Sequence, residues 1–451
     1  MARNLWLTDA EFCSIPINYF TYTIIPVMKN LPFLLLVFCM SSLLNSCDGN
    51  KSGESASDGI KTISLPDAIG KERIVNLSEV AQSIRYIPLE TSDISLLGNV
   101  SRPILEDGVF YVIVSKGFSQ NEYRMYHIDG RFKGKLGTLG RAKGELPQIE
   151  HFSLSFDPVT GNPMIYSINK IVEYDKDGNF IKEVYAPIDE GSNFRGYRIH
   201  KVGENYISVV SDIMANKFGI ISFNSNKEII AESPVGIITN NNKETKSAED
   251  VAGNQESMTI SIGGVMTNSV VIISRHPTLY PYKKGFRYVS DNGAEIYYLD
   301  EKLNTTTHYN LDYGKYKRPV KATEDELNRS IIFVAGFTCE SENNLFLTYN
   351  FGQNEPNGYT PPLVSALYDI KNEELVLLKR DNPEMRGFKN DLDDGAPFWP
   401  VHISREGEMI MPLSAAKFIE LSEKYDSPEM KRVAATLTEN SNPVMVIAKI
   451  K

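Results

Sequence analysis

The chain has 451 residues, 42% of them hydrophobic and 23% charged, with a formal net charge of −10. Such a chain can bury a substantial core without staples. The acidic balance argues against a nucleic-acid or anionic-membrane surface built on bulk charge, so no nucleic-acid partner is expected.

Residues 1–27 contain Asp9 and Glu11 and lack a convincing basic start. Met28-Lys29-Asn30 is basic, and residues 31–44 are an apolar run. At about 14 residues the run is short of the roughly 20 that a membrane-spanning helix needs. Leu44-Asn45-Ser46-Cys47 follows and resembles the lipobox of bacterial lipoproteins, with an aliphatic residue three before the cysteine and a small residue just before it. Residues 1–46 are therefore read as leader and signal peptide, with Met28 as the expected initiator and Cys47 as the lipidation site. The competing reading is an internal apolar helix with a chance cysteine. With Cys13 and Cys39 lost and Cys47 acylated, Cys339 stands alone and no intramolecular disulfide can form. Residues 47–59 are rich in Gly, Ser and Asp and read as a flexible tether. The expected location is the cell envelope, periplasmic or surface-facing, on a lipid anchor.

From residue 60 onward, short runs of Ile, Val, Tyr and Phe alternate with Gly, Asn and Asp turns. The hairpin Tyr126-His127-Ile128-Asp129-Gly130-Arg131-Phe132 recurs as Tyr174-Asp175-Lys176-Asp177-Gly178-Asn179-Phe180. Looser copies lie at 221–229, 297–303 and 367–375. A period of about 50 residues with about four strands is that of a β-propeller blade. Five hairpins imply five blades, and a sixth is expected from both ends of the chain. Its strands would be 402–404, 409–411 and 444–450, beside either 73–77 or 84–89. The segment 240–250 reads as an exposed polar loop. Residues 415–437 read as a helical insertion in the last blade, with Ser427 as N-cap and Pro428 opening a helix. The fold class is all-β: one six-bladed β-propeller over 60–451.

Four stretches resemble the Bacteroides-type six-bladed β-propeller lipoproteins. They are Ile84-Arg85-Tyr86-Ile87-Pro88-Leu89-Glu90-Thr91 with Leu96-Leu97-Gly98, the run Gly137 to Leu146, the run Asn390 to Pro400, and Asn442-Pro443-Val444-Met445-Val446. In the second, Ala142-Lys143 replaces the family's usual Gly-Pro and Leu146 replaces its aromatic, while Arg141, Gly144 and Glu145 are kept. The resemblance implies the propeller fold and no particular activity.

The six histidines are scattered singly, no Cys-x-x-Cys occurs, and neither metal nor cofactor is expected. Asp175-Lys176-Asp177-Gly178 is part of a calcium-loop pattern, but a strand follows at once, so it reads as a hairpin turn. No Gly-x-Ser-x-Gly nucleophile motif is present. Cys339 follows an apolar stretch and reads as buried and inert. Asp391, Asp393 and Trp399 form either a sugar subsite or an Asp-rich loop with a core tryptophan. Arg141 and Glu145 form either a blade-to-blade ion pair or part of a ligand site at the channel mouth. The favoured function is a non-catalytic binding or scaffold lipoprotein for a glycan, peptide or protein partner. The alternatives are an envelope hydrolase or lyase acting on polysaccharide at the channel, and a sensor subunit serving a membrane partner.

Overall fold

Apolar residues settle this fold by filling both faces of its strands. In Val109–Val114, residues Val109, Tyr111 and Ile113 join one cluster with Leu154, Ile165 and Val172. Phe110, Val112 and Val114 join another, with Ile410, Met445 and Ile447. Successive side chains leave a strand on opposite faces, so a run of six apolar residues serves two neighbouring sheets. The computed structural model describes residues 60–451, apart from 99, 101, 115–120, 150–152, 188–193, 213–216, 234–277, 283–284, 290–294, 301, 319–325, 327–328, 335–337, 352–362 and 381–384. Cys47, the signal, the tether and the polar loop at 240–250 lie outside the described residues.

The strands form six sheets, each an up-and-down meander. Blade I is Ile104–Glu106, Val109–Val114, Glu122–His127 and Phe132–Leu136. Blade II is Leu154–Phe156, Pro163–Ser167, Lys170–Tyr174 and Phe180–Tyr185. Blade III is Phe194–Val202, Asn205–Asp212, Lys217–Phe223 and Ile229–Ser233. Blade IV is Thr278–Tyr282, Gly285–Val289, Glu295–Leu299 and Thr305–Asp312. Blade V holds Ile332–Phe333 and Cys339–Glu340, then Asn344–Asn350, Leu363–Asp369 and Glu374–Leu377. Blade VI takes His402–Ile403, Glu408–Leu413 and Val444–Ile450 from the end of the chain and Ala81–Pro88 from its beginning. Six hydrophobic clusters each join one blade to the next, and the last joins VI to I. The protein is a six-bladed β-propeller.

Of the two segments expected to complete blade VI, 84–89 lies on the right strand, which spans Ala81–Pro88 and pairs antiparallel with Val444–Ile450. Residues 73–77 run instead along the outside of blade V, where Arg73 and Asn76 bridge Leu378 and Lys389 in parallel. Further upstream, Lys61–Ser64 adds to blade IV as a parallel fifth strand.

The repeat is a turn with a fixed hydrogen-bond pattern. In blades I to IV the fourth turn residue donates its N–H to the first one's carbonyl, as Gly130 does to His127, Gly178 to Asp175, Lys227 to Asn224 and Leu303 to Asp300. That fourth residue has φ of 89°, 86°, 67° and 61° in turn, which explains the glycines in the first two. In blades II to IV the first residue is Asp or Asn, and its Oδ1 accepts backbone N–H groups two and four residues on. Asp175 therefore spends its carboxylate on its own turn.

The insertion between the second and third strands of blade VI is two helices, α1 (Ala415–Lys424) and α2 (Pro428–Ala434). Ser414 and Ser427 cap them, accepting from the N–H groups of Lys417 and Met430. Phe418, Leu421, Met430 and Val433 pack into the seam between blades V and VI.

Candidate functional site

The 137–146 loop leaves blade I and lies on blade II. Glu145 does not pair with Arg141; its Oε2 accepts the Ala142 N–H at 2.9 Å, which closes the loop on itself. Arg141 is exposed. The blade-to-blade tie is made elsewhere. Gly144 donates its N–H to Glu183 Oε2 at 2.8 Å, and Lys170 Nζ sits 2.7 Å from the same oxygen. The Gly144 N–H, followed by Lys170, holds the Glu183 carboxyl below the usual range. Glu183 and Lys170 read as ordinary strand residues, and nothing local marks them as the loop's anchor.

In the 390–399 loop, Asp391 accepts the backbone N–H and the hydroxyl of Ser78 at 2.9 and 2.5 Å. Asp393 is a hub. Its Oδ1 accepts from Tyr86 at 3.0 Å and Asn390 at 2.7 Å, and its Oδ2 from Ser427 at 2.6 Å. It thereby ties the closing strand to the cap of α2. Trp399 is 3% exposed, with ring centroids 5.3 Å from Phe388 and 6.0 Å from Phe346. Among the described residues its buried Nε1 has no hydrogen-bond partner. These three residues are brought together within one seam, packed into the blade V–VI core or against it; Arg141 and Glu145 lie apart, on blade II.

A denser set of titratable groups lies where the first strands of neighbouring blades end, joined by Lys176 from a third-strand turn. Blade VI supplies His402 and Arg405, blade I Glu106 and Asp107, blade II Asp157 and Lys176, and blade III Lys201. His402 Nε2 is 3.2 Å from the Leu105 carbonyl and 3.9 Å from Glu106 Oε1. Arg405 Nε is 3.5 Å from Glu106 Oε2, and its Nη2 donates to the Asp157 carbonyl at 3.2 Å. Lys201 pairs with Asp157, and Lys176 with Asp107 at 2.9 Å. Burial raises the Glu106 carboxyl to about 7 despite Arg405, whose distance is too long for a strong pair. Burial also depresses His402 to about 4. A carboxyl that exchanges its proton near neutrality, a neutral imidazole and a guanidinium can perform acid–base chemistry. In the sequence, Glu106 and Asp107 are only turn residues and His402 only a strand residue, because their meeting depends on ring closure.

Cys339 is buried, and that burial pushes its thiol up to about 12, which leaves no nucleophilic thiolate near neutrality. Among the described residues no cluster of three or more His, Cys, Asp or Glu is placed to hold a metal ion. Among them, too, no helix is long and apolar enough to cross a membrane.

Among solved structures, the fold is similar to a Bacteroides fragilis protein named as exported, with TM-score 0.55 and 14% identity over 87% of this chain and 100% of that one. A DUF4221 family member from Bacteroides vulgatus matches at TM-score 0.41 and 11% identity, over 84% and 99% of the two chains. A protein of unknown function from Bacteroides thetaiotaomicron matches at 0.38 and 9%, over 81% and 76%. The first likeness supports the fold. A search of curated proteins gives no match. The family model described as "Domain of unknown function (DUF4934)" matches residues 60–449, nearly the whole propeller, and the chain belongs to that family.

Proposed function

We propose that this protein is a cell-envelope lipoprotein, held to a bacterial membrane through Cys47, whose propeller binds a glycan, peptide or protein partner without transforming it. The observation that carries the reading is the difference between the two sets of connections. Turns after the first and third strands of a blade are short, as at 107–108, 128–131 and 224–228. The long connectors follow second or fourth strands, as at 137–153, 313–331, 378–401 and 414–443, although the one after the second strand of blade II is only 168–169. Long surface connectors on a rigid frame are where recognition residues concentrate. Export of a structural neighbour supports an envelope location. Fold alone does not give the ligand.

The test is a thermal-shift screen of the chain from Ile60 to Lys451 against glycans, peptides and nucleosides. A binder of the native state raises the melting temperature, more so the tighter it binds at a given concentration. A reproducible shift with one class assigns the ligand. No shift with any small ligand moves the assignment to a protein partner. The anchor is tested separately: Cys47→Ser should release the protein from the membrane fraction, and unchanged retention would remove the lipid from the reading.

A second reading, an envelope hydrolase or lyase acting on polysaccharide, draws on the Glu106, His402 and Arg405 group. Product analysis with any saccharide that binds separates the two readings. Turnover lost in Glu106→Gln with binding retained would favour the enzyme.

A further inference from the structure

The run from Ile60 to Pro88 crosses the outsides of blades IV, V and VI in that order before the chain enters blade I. On blade IV, Lys61–Ser64 pairs in parallel with Tyr309 to Asp312 and buries Ile63 to 1% exposure. On blade V, Arg73 donates its N–H to the Leu377 carbonyl at 3.3 Å and accepts from Lys379 at 2.8 Å. Val75 accepts from Lys389 at 2.9 Å, and Leu77 donates back to the Lys389 carbonyl at 2.7 Å. Ser78 then hooks onto Asp391, and Arg73 forks onto Glu79 at 2.9 and 3.0 Å beside the cap at Asn76. Only after these attachments does Ala81–Pro88 close blade VI, with seven registered partners on Val444–Ile450.

We propose that the stretch 61–79 is a clasp that detaches from blades IV and V as a unit while blade VI stays closed. Pull arriving from upstream of Ile60 is then absorbed by the clasp and does not reach the strand that closes the ring. The Cys47-anchored reading supplies the source of such pull, but the order of opening is a property of this fold by itself. Three features set that order. The clasp's longest pairing is four residues and parallel, and parallel pairs are slightly weaker per residue than antiparallel ones. Its attachments to blade V are two isolated bridges, not a continuous ladder. The closing strand has a longer antiparallel ladder and packs Tyr86 against Phe418 of α1 at 5.4 Å. Ile63, Leu65, Val75 and Leu77 are buried beneath the clasp, but its hydrogen-bond ladders are short, and segments with shorter ladders open at lower free energy than the core they rest on.

Native-state hydrogen exchange on the full chain, read by mass spectrometry, tests this. Amides of Lys61–Ser64 and of 73–79 should exchange together, at least about tenfold faster than those of Ala81–Pro88. Arg73→Ala removes an exposed fork and should speed the clasp by a further factor of about two to five, leaving Ala81–Pro88 unchanged. Equal rates for clasp and closing strand would overturn the proposal. So would an Arg73→Ala variant that speeds both in step, because clasp and ring would then be one cooperative unit. Neither readout needs lipid or ligand, so loss of the anchor or binding reading leaves this result standing.

Discussion

Blades IV to VI and blades I to III share one plan but carry different surroundings on their outer strands. In the first half, the N-terminal run lies over blades IV and V and supplies the outer strand of VI. Blade I is partly covered as well, since the Phe132 N–H donates to Glu90 and Gly130 abuts Pro88. Blade II carries the 137–146 loop, whose Gly144 donates to Glu183 on its outer strand, yet among the described residues it and blade III leave apolar side chains partly exposed. At matching repeat positions they show Phe180 and Ile181, 38% and 44% exposed, and Ile229 and Ile230, 46% and 50%. The repeat thus encodes the hairpin and leaves its covering to other parts of the chain. The outer strand of blade II also carries charges, Lys182 and Glu183. An antiparallel copy of Phe180–Tyr185 must register about a residue for opposite side chains to share a face. Centring on Lys182 or on Glu183 then sets like charges against each other, which disfavours self-pairing.

The largest effect should come from testing that contrast with one residue type. Ile63→Ala, in the covered half, removes a fully buried side chain and should cost about 2–4 kcal/mol, up to whatever the clasp itself contributes. Ile230→Ala, half exposed on the outer strand of blade III, should stay within about 0.5 kcal/mol. Urea unfolding of both variants measures the pair. Equal costs would mean that Ile230 is covered in solution.

Where the halves meet, at the seam of blades VI and I, pH should pull stability in two directions. Glu106 has its pKa raised from 4.5 to about 7 on folding. Its ionised form is the disfavoured one, so stability is full below pH 4.5 and is lost as pH rises toward 7. His402 is lowered from 6.5 to about 4, so its contribution is full above pH 6.5 and is lost as pH falls toward 4. The two slopes oppose each other between pH 4.5 and 6.5 and largely cancel. Single variants should uncover them. Glu106→Gln should gain up to about 3 kcal/mol over the parent at pH 8 and nothing at pH 4. His402→Gln should show the reverse. Parallel pH profiles for parent and variants would show that neither group is held out of water.

The sequence disclosed what is local and periodic. The hairpins stood out because their turns carry a residue at positive φ in the fourth place, glycine in the first two, and in blades II to IV an Asp or Asn acceptor in the first. The closing strand was half legible: an early segment had to find partners among the final strands, and 84–89 was one of two candidates beside 73–77. The Ser427 cap and Pro428 start were legible because helix ends have local chemistry. The clasp on blade IV was not, since Lys61 to Ser64 is too short to declare a partner some 250 residues away. The same limit hid Glu183 under Gly144, and it hid the meeting of Glu106 with His402. Arg141 and Glu145 looked like a pair because they are close in sequence, yet Glu145 satisfies a nearer N–H at Ala142.

The smallest effect concerns a strained backbone position that recurs in both halves. In blade II, Ser167 and Lys170 face each other across a two-residue turn, with Ile168 at φ 56° in the first central place, where such turns favour glycine. In blade IV, Leu303 has φ 61°. A side chain in the left-handed region costs roughly 1–2 kcal/mol, and glycine removes that cost while giving back about half to one in unfolded-chain entropy. Ile168 is 47% exposed, so Ile168→Gly should gain about 0.5–1 kcal/mol. Leu303 is 7% exposed and packs between blades III and IV. Leu303→Gly relieves the same strain but forfeits about 2–3 kcal/mol of burial, and should lose about 1–2 kcal/mol overall. Thermal melts should therefore move in opposite directions for two substitutions that relax the same backbone conformation. If both variants gained, burial at Leu303 would be worth less than its strain; if both lost, the exposed Ile168 side chain would be making a contact on blade II that its exposure does not reveal.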